Sequence, residues 1–364
     1  MRLGVSAAVV DGVLLRGDVE VADGVVAAVG LEPPAGSSAI AAPGLVDLQV
    51  NGYGGVDFLA ADADGYRAAG EALLAAGVTA YQPTLITAAE TELTAALAEV
   101  RERADGPRLL GVHLEGPFLS PARPGAHPVE HLRLPDTALA ERLLAPGLVS
   151  YVTLAPELPG ALDLVDLLHA RGIVVSFGHT DATAAEMAAG FGRGVRTVTH
   201  LFNAMRPFGH REPGPAGAAL ARDDVVVQVI VDGHHLAADT VTVVMRAAQG
   251  RLALVSDAIA AAGQGDGVFR LGDVEVHVVD GVARRTDGAL AGSTLALLDA
   301  VRNLHALGAP LAEALAAASE VPARVLGRRD IGSLQPGAPA DVIVLDDRLE
   351  LVRVLRDGRP LVAA

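Results

Sequence analysis

Four residues of the sequence carry side chains suited to metal-assisted hydrolysis, and all four occupy the same kind of position. Glu115, His179, His200 and Asp257 each stand at the end of a short apolar run. Any one of them alone is a common helix cap or turn residue. Together, one carboxylate and two imidazoles suit Zn²⁺ or Fe²⁺ with one position open for water. Such a metal lowers the pKa of its water to roughly 7, and Asp257 is the candidate general base.

Those apolar runs belong to a repeating pattern in the middle of the chain. Each run is followed by a stretch rich in Ala and Leu, which is typical of parallel strands joined by crossover helices. Eight runs of this kind predict a (β/α)₈ TIM barrel, whose catalytic groups lie where strands end at the C-terminal face. The predicted strands cover residues 45–51, 78–84, 108–115, 149–157, 173–179, 195–200, 225–232 and 252–257.

The two ends of the chain have a different texture. The first 30 residues place Asp11-Gly12 and Asp23-Gly24 between short apolar runs, a pattern that indicates β-hairpins, and the last 30 residues are similar. We therefore predict a small β-sandwich domain built from residues 1–42 and 335–364. The catalytic barrel is predicted to occupy residues 43–334.

Two segments between predicted strands have local signals of their own. Residues 87–104 predict a helix, because Thr87 and Glu90 have capping-box spacing and apolar residues follow at helical intervals. After the eighth strand, apolar and polar residues alternate around Asp280-Gly281. This alternation predicts a β-hairpin insertion at residues 268–287 rather than a ninth barrel unit.

Composition excludes several kinds of chemistry. The chain has no Cys and no Lys, so all 28 basic residues are Arg. Thiolate ligands, disulfides, Schiff-base catalysis and carboxylated-lysine metal bridges are therefore excluded. The net charge of −16 opposes binding to nucleic acid or to anionic membranes. With neither a signal-peptide pattern nor a long uncharged apolar run, the sequence predicts a soluble cytoplasmic protein.

A series of short motifs follows the same order along the chain as in one known family. The series resembles the N-acetylglucosamine-6-phosphate deacetylases of the amidohydrolase superfamily, from about residue 43 onward. The motifs are PGLVDLQVNGYGG, HLEGPF with PGAH, VSFGHTDAT, THLFNAM, REPGPAG, IVDGHH, VSDA, LAGST and PARVLGRRDIGSLQPGAPADVIVLD.

This resemblance implies metal-dependent hydrolysis of N-acetylglucosamine 6-phosphate to glucosamine 6-phosphate and acetate, in the catabolism or recycling of amino sugars. One alternative is an amidase or deacetylase of the same superfamily that acts on an unphosphorylated substrate. Another is a barrel that has lost its metal and serves as a binding or scaffold protein. Because a scaffold has no chemical use for a metal-ligand set, the residues favour an enzyme.

The resemblance also implies a role for each residue that matches a family motif. Glu115, His179 and His200 match the protein ligands of one divalent metal, Zn²⁺ or Fe²⁺. Asp257 matches the residue that takes a proton from the water and passes it to the leaving amine. His127 matches the histidine that polarises the acetamido carbonyl.

The same comparison of motifs implies a substrate site. His235 matches a residue that contacts the sugar. Asn203, the backbone of Ala204 and Arg211 match the phosphate site. Because the family's arginine reaches across from a neighbouring subunit, the resemblance implies a homodimer in which Arg211 crosses the interface.

The first predicted strand ends in two amides, Gln49 and Asn51, whose side chains share one face of the strand. In much of the superfamily these positions carry His-x-His, and both imidazoles bind a second metal. Amides are weaker ligands for Zn²⁺ or Fe²⁺ but form good hydrogen bonds. We therefore predict one tightly bound metal per site, with both amides filling the second position by hydrogen bonds.

The loop after Glu115 departs from the family pattern. The family often has Lys just before a Gly-x-His sequence, whereas this chain has Arg123 one position further away, with Pro124 between. No role is therefore carried over to Arg123. His131 lies on the same loop, and we expect it at the surface.

Overall fold

The computed structural model describes residues 1–363, in which strands and helices alternate through the middle and strands gather at both ends. The strands are β1 (Ala7–Val10), β2 (Val13–Arg16), β3 (Asp18–Ala22), β4 (Val25–Leu31), β5 (Ile40–Pro43), β6 (Leu45–Val50), β7 (Gly52–Tyr53), β8 (Val56–Asp57), β9 (Val78–Ile86), β10 (Arg108–Leu109), β11 (Val112–Glu115), β12 (Val149–Leu154), β13 (Val174–Phe177), β14 (Thr197–Val198), β15 (Val226–Val229), β16 (Leu252–Leu254), β17 (Gly267–Leu271), β18 (Val274–Val279), β19 (Val282–Arg285), β20 (Val342–Leu345), β21 (Leu351–Arg356) and β22 (Arg359–Ala363). The helices are α1 (Ala63–Ala75), α2 (Glu90–Glu99), α3 (Thr137–Leu144), α4 (Ala161–Ala170), α5 (Ala184–Gly192), α6 (Gly214–Leu220), α7 (Ala238–Ala247), α8 (Leu297–Ala306), α9 (Leu311–Ala317) and α10 (Glu320–Val325), with a 3₁₀ helix at Val129–His131.

The middle strands form a parallel sheet in the order β6-β9-β11-β12-β13-β14-β15-β16, with β10 also beside β9. The strands β6 and β9 are buried along their whole length, as expected for strands covered on both faces. The prediction of a (β/α)₈ barrel is confirmed. The strands end earlier than predicted at several places, because the chain turns before the polar residues that follow them.

The barrel closes between its last and first strands through a few specific hydrogen bonds. The backbone N–H of Asp257 donates to the carbonyl oxygen of Gln49 at 3.0 Å, and that of Ser256 donates to Asp47 Oδ1 at 3.2 Å. Val50 and Ala258 add a parallel bridge. The segment that carries Asp257 is therefore held against the end of β6.

Local sequence signals explain where the crossover helices begin. Asp62 caps α1 by accepting a hydrogen bond from the backbone N–H of Gly65. The predicted pairing of Thr87 with Glu90 is wrong: α2 begins at Glu90, and Glu92 Oε2 accepts from the N–H of Ala89 at 3.0 Å.

The helices of residues 1–363 are all too short or too polar to span a membrane.

Strands from both ends of the chain share one sheet, in the order β2-β1-β5-β20-β21-β22. The hairpin of β3 and β4 packs beside it, and Val5, Val19, Val26 and Val342 form an apolar core that is separate from the barrel core. The small β domain of the predicted fold class matches this arrangement. Its boundaries, at residues 42 and 335, stay a prediction.

An antiparallel sheet, formed by β17, β18 and β19, lies at the barrel mouth. It has three strands where the sequence pattern predicted one hairpin. Two hydrogen bonds fasten it to the barrel loops: Gly272 N–H donates to Asp57 Oδ2 at 2.6 Å, and Arg285 Nη1 donates to the carbonyl of Gly125 at 2.8 Å. We name this element the mouth sheet.

Arg108 forms ion pairs that join the barrel to the sheet built from both ends of the chain. Arg108 at the start of β10 donates through Nε to Asp341 Oδ2 at 2.6 Å and also pairs with Asp357. The Asp341 side chain is only 4% exposed. A buried carboxylate of this kind depends on its cation, because a charge without a partner is costly in the protein interior.

We expect Arg108→Ala to lower the free energy of unfolding by about 2 to 4 kcal/mol, because it leaves Asp341 buried and unpaired. Arg67→Ala is the matched control, since Arg67 pairs with Glu71 on an exposed helix face at 3.2 Å. The control is expected to cost less than about 1 kcal/mol. Urea unfolding followed by circular dichroism measures both values, and equal shifts of the two midpoints would contradict the assigned role of Arg108.

Candidate metal centre and active site

Three buried side chains converge at the mouth of the barrel. Glu115 is the last residue of β11, His179 follows β13, and His200 follows β14. Glu115 Oε1 lies 3.2 Å from His179 Nε2 and 3.0 Å from His200 Nε2, and the two Nε2 atoms lie 3.1 Å apart. Each of the three residues is at most 5% exposed. The predicted ligands therefore form one compact cluster.

The backbone takes an unusual conformation at the strand ends that carry this chemistry. The φ angle is +46° at His179, +26° at His200 and +50° at Asp257. Residues with a Cβ rarely adopt this left-handed conformation, which costs of order 1 to 3 kcal/mol at each position. The surrounding packing must therefore hold these three residues in place.

Neighbouring groups orient the ligand atoms. His179 Nδ1 lies 3.0 Å from the carbonyl oxygen of Arg123, to which it donates its proton, so Nε2 is left with a free lone pair. Gln49 Nε2 donates to Glu115 Oε1 at 3.0 Å. A Cβ at Gly125 would lie 2.8 Å from His179 Cε1, so glycine is needed beside this ring.

The donor set and its electrostatics fit a divalent transition metal. Burial alone would raise the pKa of Glu115, but the neighbouring rings of His127, His179 and His200 hold that pKa well below its usual value. Burial lowers the pKa of His179 to about 4. An ionised carboxylate and a neutral imidazole are the forms that bind metal. Burial lowers the pKa of His200, but its contact with Glu115 outweighs burial and raises that pKa, so metal binding would displace a proton from this ring.

Asp257 lies beside this cluster and is 8% exposed. Burial, together with the charge of Glu115, raises the pKa of Asp257 to about 6. Asn51 Nδ2 donates to Asp257 Oδ1 at 2.7 Å. The two amides at the end of β6 therefore contact the two carboxylates: Gln49 binds Glu115, and Asn51 binds Asp257.

His127 is held by a residue that the sequence did not single out as functional. The backbone N–H of Thr87 donates to His127 Nδ1 at 3.2 Å, and the Thr87 hydroxyl lies 2.9 Å from the same atom. Because Nδ1 accepts a hydrogen bond, the proton of a neutral His127 is on Nε2, which is 3.6 Å from Glu115 Oε2. The spacing of Thr87 suggested a helix cap, so this contact was missed.

The cluster opens into a cavity of about 140 Å³. His235, Asn203 and Ala204, all predicted to contact substrate, line it together with the metal-ligand cluster, His127 and Asp257. His235 Nδ1 lies 2.7 Å from Asp232 Oδ2. Although burial raises the pKa of Asp232, its bonds to His235 and to the backbone lower that pKa to about 2. Asp232 is thus an ionised partner that orients His235.

Three other residues that the sequence brought to attention lie outside the lining of this cavity. Arg211 is exposed and does not line the cavity of its own chain. Arg123 pairs with Asp181 at 2.8 Å and contributes only its backbone carbonyl, to His179. His131 lies on the 3₁₀ helix and lines a separate small cavity.

The fold and the site together define a class of protein. Residues 40–361 match the family model described as the Amidohydrolase family, and the chain belongs to this family. This membership confirms the superfamily that the motifs indicated.

Within the family, the similarity extends to particular enzymes. The N-acetylglucosamine-6-phosphate deacetylase of Vibrio furnissii is 36% identical over 330 residues, which cover 87% of this chain and 82% of that protein. The N-acetylgalactosamine-6-phosphate deacetylase of Escherichia coli O157:H7 is also 36% identical, over 94% of this chain and 93% of its own. The resemblance to amino-sugar-phosphate deacetylases is therefore confirmed across most of the chain.

Solved structures agree with the sequence relatives. A mutant N-acetyl-D-glucosamine-6-phosphate deacetylase from Mycobacterium smegmatis, in complex with N-acetyl-D-glucosamine-6-phosphate, superimposes with a TM-score of 0.95 at 38% identity, over 100% of this chain and 99% of that one. The N-acetylglucosamine-6-phosphate deacetylase of Thermotoga maritima gives a TM-score of 0.92 at 34% identity, over 100% of both chains.

We expect the purified protein to contain about one equivalent of transition metal per chain, because residues 1–363 contain one cluster of metal-ligand side chains and amides occupy the second position. His200→Ala is expected to lose most of this metal. His277→Ala is the matched control, since His277 lies on the mouth sheet with a side chain that is 45% exposed. Elemental analysis by mass spectrometry measures all three proteins, and two tightly bound equivalents would contradict the prediction.

Proposed function

We propose that this chain hydrolyses the amide bond of N-acetylglucosamine 6-phosphate and releases acetate and glucosamine 6-phosphate. The observation that carries the proposal is the buried cluster of Glu115, His179 and His200 with the carboxylate of Asp257 beside it. Relatives that are 36% to 40% identical have this activity in their names. We also propose that the protein acts in the cytoplasm.

The three buried ligands would hold one divalent ion, which we propose to be Zn²⁺ or Fe²⁺. When bound, an ion of this kind lowers the pKa of a water molecule and polarises a carbonyl group. The set contains nitrogen and oxygen donors without thiolate, and this composition suits both metals.

Asp257 is proposed to move the proton. Its carboxylate accepts a proton from the attacking water and returns it to the nitrogen of the breaking amide bond. Burial raises the pKa of Asp257 above its ordinary value, and a carboxyl group with a raised pKa can both accept and return a proton near neutral pH. Because Asn51 donates to Oδ1, the other oxygen of Asp257 is available for the proton.

His127 is proposed to stabilise the amide oxygen. The contact with the backbone N–H of Thr87 fixes the proton on His127 Nε2, so this ring donates a hydrogen bond into the cavity. Such a bond strengthens as negative charge develops on the carbonyl oxygen, because the donor is already oriented.

The sugar and phosphate groups are proposed to contact His235, Asn203 and the backbone of Ala204. No arginine is present among the residues that line the cavity in the described part of this chain, and the sequence has no lysine. A phosphate therefore needs a cation from outside the lining. We propose that Arg211 of a second copy supplies it in a homodimer, since Arg211 is exposed in its own chain.

Asp257→Asn is expected to lower kcat for acetate release by about 10² to 10⁴-fold, because an amide keeps the shape of the side chain but cannot carry the proton. Metal content is expected to stay unchanged, since Asp257 is not in the ligand cluster. Asp64→Asn, on the exposed side of α1, serves as the control. A mutant as active as the parent would contradict the role of Asp257, and a parent that releases no acetate would contradict the proposed function.

Arg211→Ala is expected to raise KM for N-acetylglucosamine 6-phosphate by at least about 10-fold, because a desolvated phosphate loses its charged partner. KM for unphosphorylated N-acetylglucosamine should change by less than about 2-fold. Equal effects on both substrates would remove the phosphate assignment. Arg246→Ala, in the last turn of α7, is the control.

Co-expression of the Arg211→Ala and Asp257→Asn variants tests the dimer directly. A chain with Arg211→Ala and a chain with Asp257→Asn each lack one part of the site. In a mixed dimer, Asp257 of the first chain meets Arg211 of the second, so one complete site forms. Activity that reappears after co-expression supports the shared site, and activity no higher than the sum of the separate variants contradicts it.

A further inference from the structure

The cavity has an apolar part that the proposed proton and phosphate chemistry does not use. Ile86, Leu271 and Leu290 form it, and we name these three residues the apolar wall. Ile86 and Leu271 are only 3% and 4% exposed, and both belong to the apolar cluster between the barrel and the mouth sheet. The wall therefore faces the catalytic cluster with side chains that offer no hydrogen bonds.

Ile86 of the apolar wall and Asn203 lie on opposite sides of the barrel. Ile86 ends β9 and stands in register with Glu115 on β11. Asn203 follows β14, which is four places from β9 in the eight-membered strand order, and therefore lies across the mouth. A substrate amide held between His127 and Asp257 would therefore have Ile86 on one side and Asn203 on the other.

The chemistry of the substrate decides which group faces each side. A sugar hydroxyl or a phosphate against the apolar wall would lose its hydrogen bonds to water without replacement. A methyl group has no such bonds to lose and gains from leaving water. The acyl carbon of an N-acyl amino sugar therefore belongs against the wall, and the sugar belongs near Asn203 and His235.

The mouth sheet holds the wall at a fixed distance. Leu271 directly precedes Gly272, whose backbone N–H donates to Asp57 Oδ2 at 2.6 Å. A Cβ at Gly272 would lie 2.9 Å from Leu59 Cδ2, so this approach is already tight. On its other side the sheet is tied to Gly125 by Arg285.

We propose that Ile86, Leu271 and Leu290 receive the methyl end of the acyl group and limit its length to that of an acetyl group. This inference rests on the proposed function. It assigns these residues to substrate selection, with no part in the chemical step. One additional methylene in a rigid apolar pocket is typically discriminated by about 10 to 200-fold.

The test compares N-acetyl, N-propionyl and N-butyryl glucosamine 6-phosphate and measures release of the free amine. The parent should prefer the acetyl over the propionyl substrate by at least about 10-fold in kcat/KM. Leu271→Ala and Leu290→Ala should each reduce this preference by about 10-fold or more. Val268→Ala is the matched control, because Val268 lies on the same strand as Leu271 but is 62% exposed.

A second measurement separates selection from general damage. Glucosamine 6-phosphate has no acyl group, so its inhibition constant should be unchanged in the wall variants. If the Leu271→Ala variant does not fold, Leu290→Ala and the smaller substitution Ile86→Val provide the test. Both are expected to reduce the preference for the acetyl substrate. An unchanged acyl preference in the folded variants would overturn the inference while the proposed function stands. A parent that releases no amine from the acetyl substrate would overturn both.

Discussion

The whole site depends on one constraint: the carboxylate of Glu115 is removed from water at the end of a barrel strand. An ionised carboxylate in the interior is stable only with charged or hydrogen-bonding partners. Here Gln49 donates to it, and His127, His179 and His200 surround it. The same surroundings that keep the carboxylate ionised gather the nitrogen donors of a metal site. The contacts that keep the Glu115 carboxylate ionised are therefore the same contacts that bring the metal-ligand side chains together.

A polar layer lies one level deeper in the barrel. His113, two residues before Glu115, contacts Thr84 at 3.1 Å and Thr153 at 2.8 Å, and Thr153 continues the chain of hydroxyls to Thr199 at 2.8 Å. Burial lowers the pKa of His113 to about 4, so its ring is neutral. Because each of these groups has partners, the layer is a rigid floor beneath the metal centre and not a source of charge.

Much of the fold could be predicted because the barrel strands are continuous apolar runs, and the residues that follow them are polar. That contrast placed Glu115, His179, His200 and Asp257 at one mouth before any distance was known. Contacts that join distant segments had no comparable signal. Thr87 has the spacing of a helix cap, and only the folded chain shows that it holds His127 from 40 residues away.

Other parts of the site were beyond prediction for related reasons. Leu271 comes from the mouth sheet, whose position depends on the long-range bond between Gly272 and Asp57, and Leu290 follows that sheet and bridges to Arg284. Arg211 cannot be placed from one chain, because the site proposed for it needs two. Sequence spacing therefore identifies the chemistry of the metal centre better than it identifies the residues that select the substrate.

The left-handed backbone at His179, His200 and Asp257 has a consequence for how this barrel can change over time. Glycine adopts that conformation at a lower energetic cost than any other residue. The local backbone preference at these positions therefore opposes the side chains that the chemistry requires. A drift toward greater thermal stability, without selection for turnover, would discard these side chains early. Inactive descendants of such an enzyme are then expected to retain the barrel and lose its strand-end residues first.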